Sequence, residues 1–252
     1  MSIVSFDLEG DFAAFKDPSV TTNQIVTVIP SKSALIGLLG ALLGVTRSNS
    51  FDSLYSDGYL DLLKKTAIGI KVRNQATKCT FFTNHRSLKE AKTKPYKTEL
   101  LVNPKYTVYV KSTDEVNQAL LDRLKDNRFV FSPTLGHAYC PARIPRFEEI
   151  CGAKQVEPRK AQVSTVFLDE IVESRDATPG VMFRAKFGKV IVERHLHLYI
   201  KADCLKRIVL RHYIPIPEND NASIFKISSY ESRLDIAKFF AHEGSSEALC
   251  LY

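Results

Sequence analysis

The sequence predicts an α+β fold: a ferredoxin-like βαββαβ core, RRM-like in plan, with a protruding basic β-hairpin and a smaller β-rich unit behind it. Three observations carry this. Up to Phe131 the hydropathy pattern runs strand, helix, strand, strand, helix, strand, the order of a four-stranded antiparallel sheet with two helices on one face. Between the middle strands lies a long basic stretch, too polar for core and flanked on both sides by strand-like residues. From Val163 onward the pattern is all β. The expected division is residues 1–146 for the ferredoxin-like unit, with the hairpin at about 76–104, and 147–252 for the β-rich unit.

A chain of 252 residues has ample core for one large domain or two small ones. Its net charge of +7 and pI near 9.1 point to a polyanionic partner, nucleic acid first and an anionic membrane second. The longest apolar run, Ala34 to Val45, is too short to span a bilayer and is not N-terminal, so a cytoplasmic protein without a membrane partner is expected. Cys79, Cys140, Cys151, Cys204 and Cys250 are odd in number and contain no CxxC. A disulfide framework and a zinc ribbon are both disfavoured, and no cofactor is expected.

Met1 to Gly10 reads as the first strand, and Gly10 to Thr22 as a loop whose Phe12 and Phe15 could stack a base or tuck under the sheet. An extended run, IVTVIP, then delivers the segment PSKSALIGLLGALLG. Pro30 disfavours helix before it, and Ser31 or Ser33 can cap the first turn. Gly37, Gly40 and Gly44 recur on one face, which argues for close approach of the helix to a sheet or a ligand. The free N–H groups of the first turn, with Ser31, Lys32 and Ser33, make a candidate phosphate site. It is not a P-loop, because no GxxxxGK[ST] is present.

Phe51 to Lys65 is expected to be a short helix, and TAIGIKVR (Thr66 to Arg73) a half-buried strand with Lys71 and Arg73 on one face. Between Lys71 and Lys105, nine cations face only Glu90 and Glu99, with Phe81, Phe82, His85 and Tyr96 interleaved. Solvation accounts for charge but not for rings. Cations that track a backbone and rings that stack bases are what single-stranded nucleic acid requires. Tyr106 to Lys111 alternates as a strand, Thr113 caps the second helix, and Phe129 to Phe131 begins the fourth strand. SPTLGHAYCPARIP follows as a loop presenting His137, Tyr139 and Arg143. Strands are then expected at Val163 to Val172, Val181 to Phe187, Lys189 to Lys201 and Ile208 to Ile216, with a short helix at Tyr230 to Phe240.

Several of these stretches together resemble the CRISPR-associated Cas five family, the RAMP-type subunit of type I surveillance complexes. They are the first strand with Gly10 and Phe15, TVIPSKSALIGLLGALLG, TELLVNPKYTVYV and TLGHAYCPARI, and the NPKY segment looks most like the type I-B branch. The resemblance implies an RNA binder that grips the 5′ handle of the CRISPR RNA. It implies a cap on a backbone of Cas seven subunits beside a Cas eight-type large subunit, meeting target DNA through the assembled Cascade complex. The family's hairpin thumb falls on Lys78 to Lys97. The candidate RNA-binding residues are Ser31, Lys32, Ser33, Lys71, Arg73, Phe82, His85, Arg86, Lys94, Tyr96, Lys97, Lys105, His137, Tyr139 and Arg143.

The alternative is an enzyme. In the type I-C branch the subunit is a metal-independent endoribonuclease using a tyrosine and an adjacent lysine and histidine. This sequence has no Lys-His dipeptide; the nearest set is His85, Arg86 and Tyr55, so catalysis is the minority expectation. His195 and His197 stand two apart in a strand and could bind a metal with His212 or Cys204. Such a pair is more often packed or solvated, and no bound metal is expected.

Overall fold

The protein is described in a computed structural model at residues 2–20, 23–48, 53–86, 89, 92–159, 161–170, 181–218, 223–230, 234–242 and 245–252. The first half contains, in order, β1 (Ser2–Glu9), β2 (Phe12–Ala13), α1 (Lys32–Leu43), α2 (Asp57–Lys65), β3 (Ala67–Val72), β4 (Thr77–Arg86), β5 (Thr93–Val102), β6 (Lys105–Lys111), α3 (Asp114–Asp126) and β7 (Phe147–Cys151). Four of these strands form an antiparallel sheet in the order β3-β6-β1-β7. As the central strand, β1 is buried on both faces. Val4, Phe6 and Leu8 join the main core, while Ile3 packs with Ala153, Phe240 and Leu251 from the second half.

The fourth strand is not where the sequence suggested. Phe129 to Phe131 is irregular: Val130 and Phe131 donate their N–H groups to Leu42 and Ala41 at the end of α1, and both side chains are exposed. The place beside β1 is taken by β7. A three-residue apolar run is too short to distinguish a strand from a segment that closes over a helix end.

Helix starts were legible because the caps are local. Ser31 accepts the N–H of Ala34 at 3.3 Å and Thr113 that of Val116 at 3.4 Å. The helix expected from Phe51 is α2, which starts at Asp57, where Ser56 caps the Tyr59 N–H; Leu54 ahead of it is exposed. The glycine face of α1 does not pack as expected. Gly37 has nothing near its Cα-hydrogen side and faces a small cavity, and Gly40 is crowded only by the Val45 carbonyl oxygen, 2.7 Å from where a Cβ would stand. That crowding is the helix's own ending: Gly44 and Val45 both donate to the Gly40 carbonyl, with Gly44 left-handed at φ 87°.

The second half adds β8 (Lys154–Val156), β9 (Gln162–Val163), β10 (Phe167–Asp169), β11 (Val181–Phe187), β12 (Lys189–Lys201), β13 (Cys204–Ile216), β14 (Ile224–Tyr230), β15 (Lys238–Ala241) and β16 (Glu247–Leu251). They form a six-stranded sheet, β11-β14-β9-β16-β15-β8, and a three-stranded one, β10-β13-β12. The long hairpin β12–β13 turns through Ala202 and Asp203, both at positive φ, the geometry that matches strand twist in a two-residue loop. The helix expected at Tyr230 to Phe240 is absent among the described residues there: Tyr230 ends β14 and Lys238 opens β15. The strand expected at Val163 to Val172 is broken into β9 and β10, and its end lies outside the described residues.

The two halves share one core, a cluster running from Val4 to Tyr252. Tyr252 and Ile68 exchange both backbone hydrogen bonds at 3.0 Å, which sets the chain's last residues along β3. Gly69 permits this approach: a Cβ there would stand 2.8 Å from the Cys250 carbonyl oxygen. Among the described residues no helix is long and apolar enough to cross a membrane.

Candidate nucleic-acid interface

β4 and β5 pair in unbroken register from Thr77↔Val102 to Arg86↔Thr93, forming a ten-residue hairpin. Side chains alternate across it. Thr80, Phe82, Asn84 and Arg86 share one face with Glu99, Lys97, Pro95 and Thr93, while Phe81 and Thr83 share the other with Thr98, Tyr96 and Lys94. Phe82 and Tyr96, two of the rings expected to stack bases, are therefore on opposite faces. Phe82 is 72% exposed and Phe81 40%. Arg86, Lys89, Lys92 and Lys94 are exposed, and the His85 backbone pairs with Lys94 in the strand. Proximally the strands become apolar, so that Leu100 and Leu101 enter the core and fix the hairpin to β2.

The hairpin base is clamped by residues 23–28. Gln24 donates its N–H to the Lys97 carbonyl and accepts the Glu99 N–H; Lys78 donates to the Val26 carbonyl at 2.6 Å. Lys97 is not a free cation, because Glu99 lies 3.1 Å away. The Gln24 amide also reaches the Tyr139 hydroxyl at 3.5 Å, which brings the 134–144 loop beside the hairpin. There the Tyr139 ring, 58% exposed, stacks on His137 at 5.0 Å. Gly136, at φ 95°, lets that loop ride on Ala14, whose carbonyl oxygen is 2.2 Å from where a Cβ would be.

The remaining cations go elsewhere. Arg73 is held by Asp7 and Glu9 at 2.9 and 2.8 Å, Arg143 by Asp11 at 2.8 Å, and Lys71 lies 3.8 Å from Glu247. Lys105 is half-buried at the edge of the same cluster, opposite Glu9 in the β1–β6 register. These residues form a neutralised patch at the end of β1 rather than an unbroken positive track.

Tyr55 of the alternative catalytic set belongs to the helices. It stacks on Tyr59 at 5.2 Å under Arg47, and the Tyr59 hydroxyl donates to the Ser33 carbonyl. Burial raises the Tyr59 hydroxyl to about 12, with Tyr55 adding to the shift.

At the start of α1 the expected phosphate mouth is closed by its own hydroxyls, since Ser31 and Ser33 bond to each other at 3.0 Å. Lys32 turns inward and is only 8% exposed, and burial pulls its ammonium down to about 8. It lines a cavity of about 560 Å³ together with His197 and Tyr252. Burial, and then the charge of Lys32, push His197 down to about 3.

The alternating histidines face inward, the sheet-packed arrangement. His195 bonds Glu193 at 3.1 Å, and both Glu193 oxygens accept the Val28 N–H. The His212 ring is 4.7 Å from His195, and burial holds it well below its usual value. Cys204 is exposed at the far turn of the hairpin. Among the described residues no three His, Cys, Asp or Glu side chains gather as a metal site.

Gln24 and Tyr252 were not singled out by sequence reasoning, and Glu99 was seen only as a sparse acid among cations. Nothing in an isolated Gln or Glu marks it as a clamp, because the role comes from contacts with another segment.

The fold is similar to that of a solved structure described as a CRISPR protein from Archaeoglobus fulgidus. The two superpose with a TM-score of 0.60 over 99% of each chain, at 12% identity. Lower similarity is found to a CRISPR RNA-guided surveillance complex chain (TM-score 0.47, 16% identity, 84% of this chain and 90% of that one). A structure described as a Cas protein gives 0.42 at 18% identity, covering 86% and 99%. No curated protein matches. The family described as CRISPR-associated protein (Cas_Cas5) matches residues 3–211, so this chain belongs to the CRISPR-associated Cas five family.

Proposed function

We propose that this protein is the guide-RNA-binding subunit of a type I, I-B-like, surveillance complex. It would grip the 5′ handle of the CRISPR RNA, cap a backbone of Cas seven subunits beside a Cas eight-type large subunit, and meet target DNA only through the assembled complex. Its place would be the cytoplasm. Family membership supports a CRISPR-associated role. The observation that carries the reading further is the hairpin 77–102: it projects exposed rings and exposed cations from a base clamped rigidly to the core. The sheet order β3-β6-β1-β7, with α1 and α3 packed together and α3 on β1, supports a ferredoxin-like core. The division near residue 146 is one of sheets and not of cores, with β7 counted in the first sheet although it begins at Phe147.

The test is binding of labelled repeat-derived RNA to the purified protein in EDTA at several salt concentrations, with the same lanes scored for cleavage. If Arg86, Lys89, Lys92 and Lys94 are the phosphate contacts, the log–log slope should be about −3, using about 0.7 per contact for single strands. A flat salt response would refute the electrostatic argument, and defined cutting that His85→Ala abolishes would favour the endoribonuclease instead.

A further inference from the structure

The cavity at the start of α1 is built differently from the hairpin. Its wall is drawn from the first turn of α1, the end of α2, β3, β6, β12 and the last residues of the chain. Three polar groups at its inner wall lack partners among the described residues. The Nε2 of His197 and the hydroxyl of Tyr252 are each in residues 1% exposed and make no hydrogen bond to any of them. Lys32, 92% buried by the same measure, has no ion pair or hydrogen bond among the described residues. The His197 and Tyr252 rings are 5.9 Å apart.

Leaving such groups unpaired is expensive, and a buried cation without a counterion more so than a buried hydroxyl. Further out, Lys111 lies over the Phe240 ring at 5.3 Å, and Lys201 and Lys238 line the same space. Among the described residues the lining holds six lysines and one carboxylate, Asp235, 3.5 Å from Lys238; Lys64 and Lys65 are paired with Asp203 and Asp61, so the excess positive charge rests on Lys32, Lys111 and Lys201. An ammonium, a hydroxyl and an imidazole nitrogen, all buried on residues that line one cavity with an excess of positive charge, are groups that suit the oxygens of a phosphate monoester. A volume of this size takes a ligand of mononucleotide dimensions, with Phe240 and Leu251 as apolar wall.

We infer that this cavity is a binding site for a phosphate monoester of mononucleotide size, its phosphate held by Lys32, His197 and Tyr252. The inference does not depend on RNA lying along the hairpin. The monoester can come from a free nucleotide or from the phosphorylated 5′ end of an RNA, and the phosphate chemistry is the same in both.

The experiment is calorimetric titration of the full-length protein with AMP, adenosine and inorganic phosphate, and separately with a short RNA carrying a 5′-phosphate or a 5′-hydroxyl. AMP or the 5′-phosphorylated RNA should bind, while adenosine and the 5′-hydroxyl RNA should lose at least about tenfold at this site. Lys32→Met should abolish the phosphate-dependent part. Tyr252→Phe, which removes one oxygen and keeps the ring, should weaken it about tenfold and guards against misfolding of the lysine variant. A response to AMP identifies a free nucleotide, and a response only to the phosphorylated RNA identifies the RNA end. If neither ligand shows a phosphate-dependent gain, or if the gain survives both substitutions, the inference is wrong. Hairpin substitutions should leave this titration unchanged, so failure here is distinguishable from failure of the RNA-grip reading.

Discussion

Lys32 illustrates how a single position can look like a surface cation and fold into a cost. Folding lowers its ionisation to about 8 from the ordinary lysine value of 10.5, so between those values the unfolded chain binds more protons and stability rises with pH. Below pH 8 the full penalty is present, on the order of 3 kcal/mol from the size of the shift. Lys32→Met should therefore be more stable than the parent at pH 7, with the gap narrowing as pH rises from 8 toward 10.5. Urea unfolding at pH 7, 9 and 10 measures this; a gap independent of pH would mean that the ammonium is compensated in solution. The neighbouring His197 works with the same sign at lower pH: its ionisation is depressed to about 3, so it contributes stability that is lost as pH falls from 6.5 toward 3. Both residues were visible in the sequence, Lys32 as a helix-start cation and His197 as a possible ligand. Their meeting was not, since 165 positions separate them and only the packing of β12 against α1 joins them.

At the scale of elements, the hairpin was legible because its chemistry is local: alternating polar and aromatic residues without an apolar face cannot be buried. Its two-sidedness was legible only once the register was fixed, because a one-residue slip exchanges the faces. If single-stranded RNA lies along one face, as proposed, the face bearing Phe82, Lys97 and Arg86 presents the most exposed ring. Phe82→Ala should then weaken RNA binding by about 1–3 kcal/mol, the range for loss of one base–aromatic stack, with Tyr96→Ala well below that. Filter binding of both variants decides it, and a larger loss for Tyr96→Ala would put the RNA on the opposite face. The phosphate contacts narrow in the same way. Lys97, Arg73 and Arg143 looked equivalent to Arg86 in sequence, but each has a carboxylate partner: Lys97 has Glu99 two residues along its own strand, while those of Arg73 and Arg143 come from the β1 strand and the turn after it.

Across the whole molecule, the second half is not an appendage. Ile3 on β1 is covered by Phe240 and Leu251, and Tyr252 bonds to Ile68 across the gap that Gly69 leaves open. A fragment ending at residue 146 would lose β7 from the edge of its sheet and expose the covered face of β1 and β3. We expect that fragment to be largely unfolded and the full chain to melt in one transition, checked by amide NMR dispersion and calorimetry; a well-dispersed spectrum from the fragment would show that the first half stands alone. By itself the sequence determined what depends on neighbours a few residues away: the helix caps at Ser31 and Thr113, the alternating strands from Ala67 to Val72 and Lys189 to Lys201, the basic hairpin and the positive charge. Tertiary structure alone decided which strand completes the first sheet, that Arg73 and Arg143 are neutralised, and that Lys32, His197 and Tyr252 share one cavity. Those outcomes depend on contacts between residues far apart in the chain, where burial changes the energy of a charge by kilocalories and no local pattern records it.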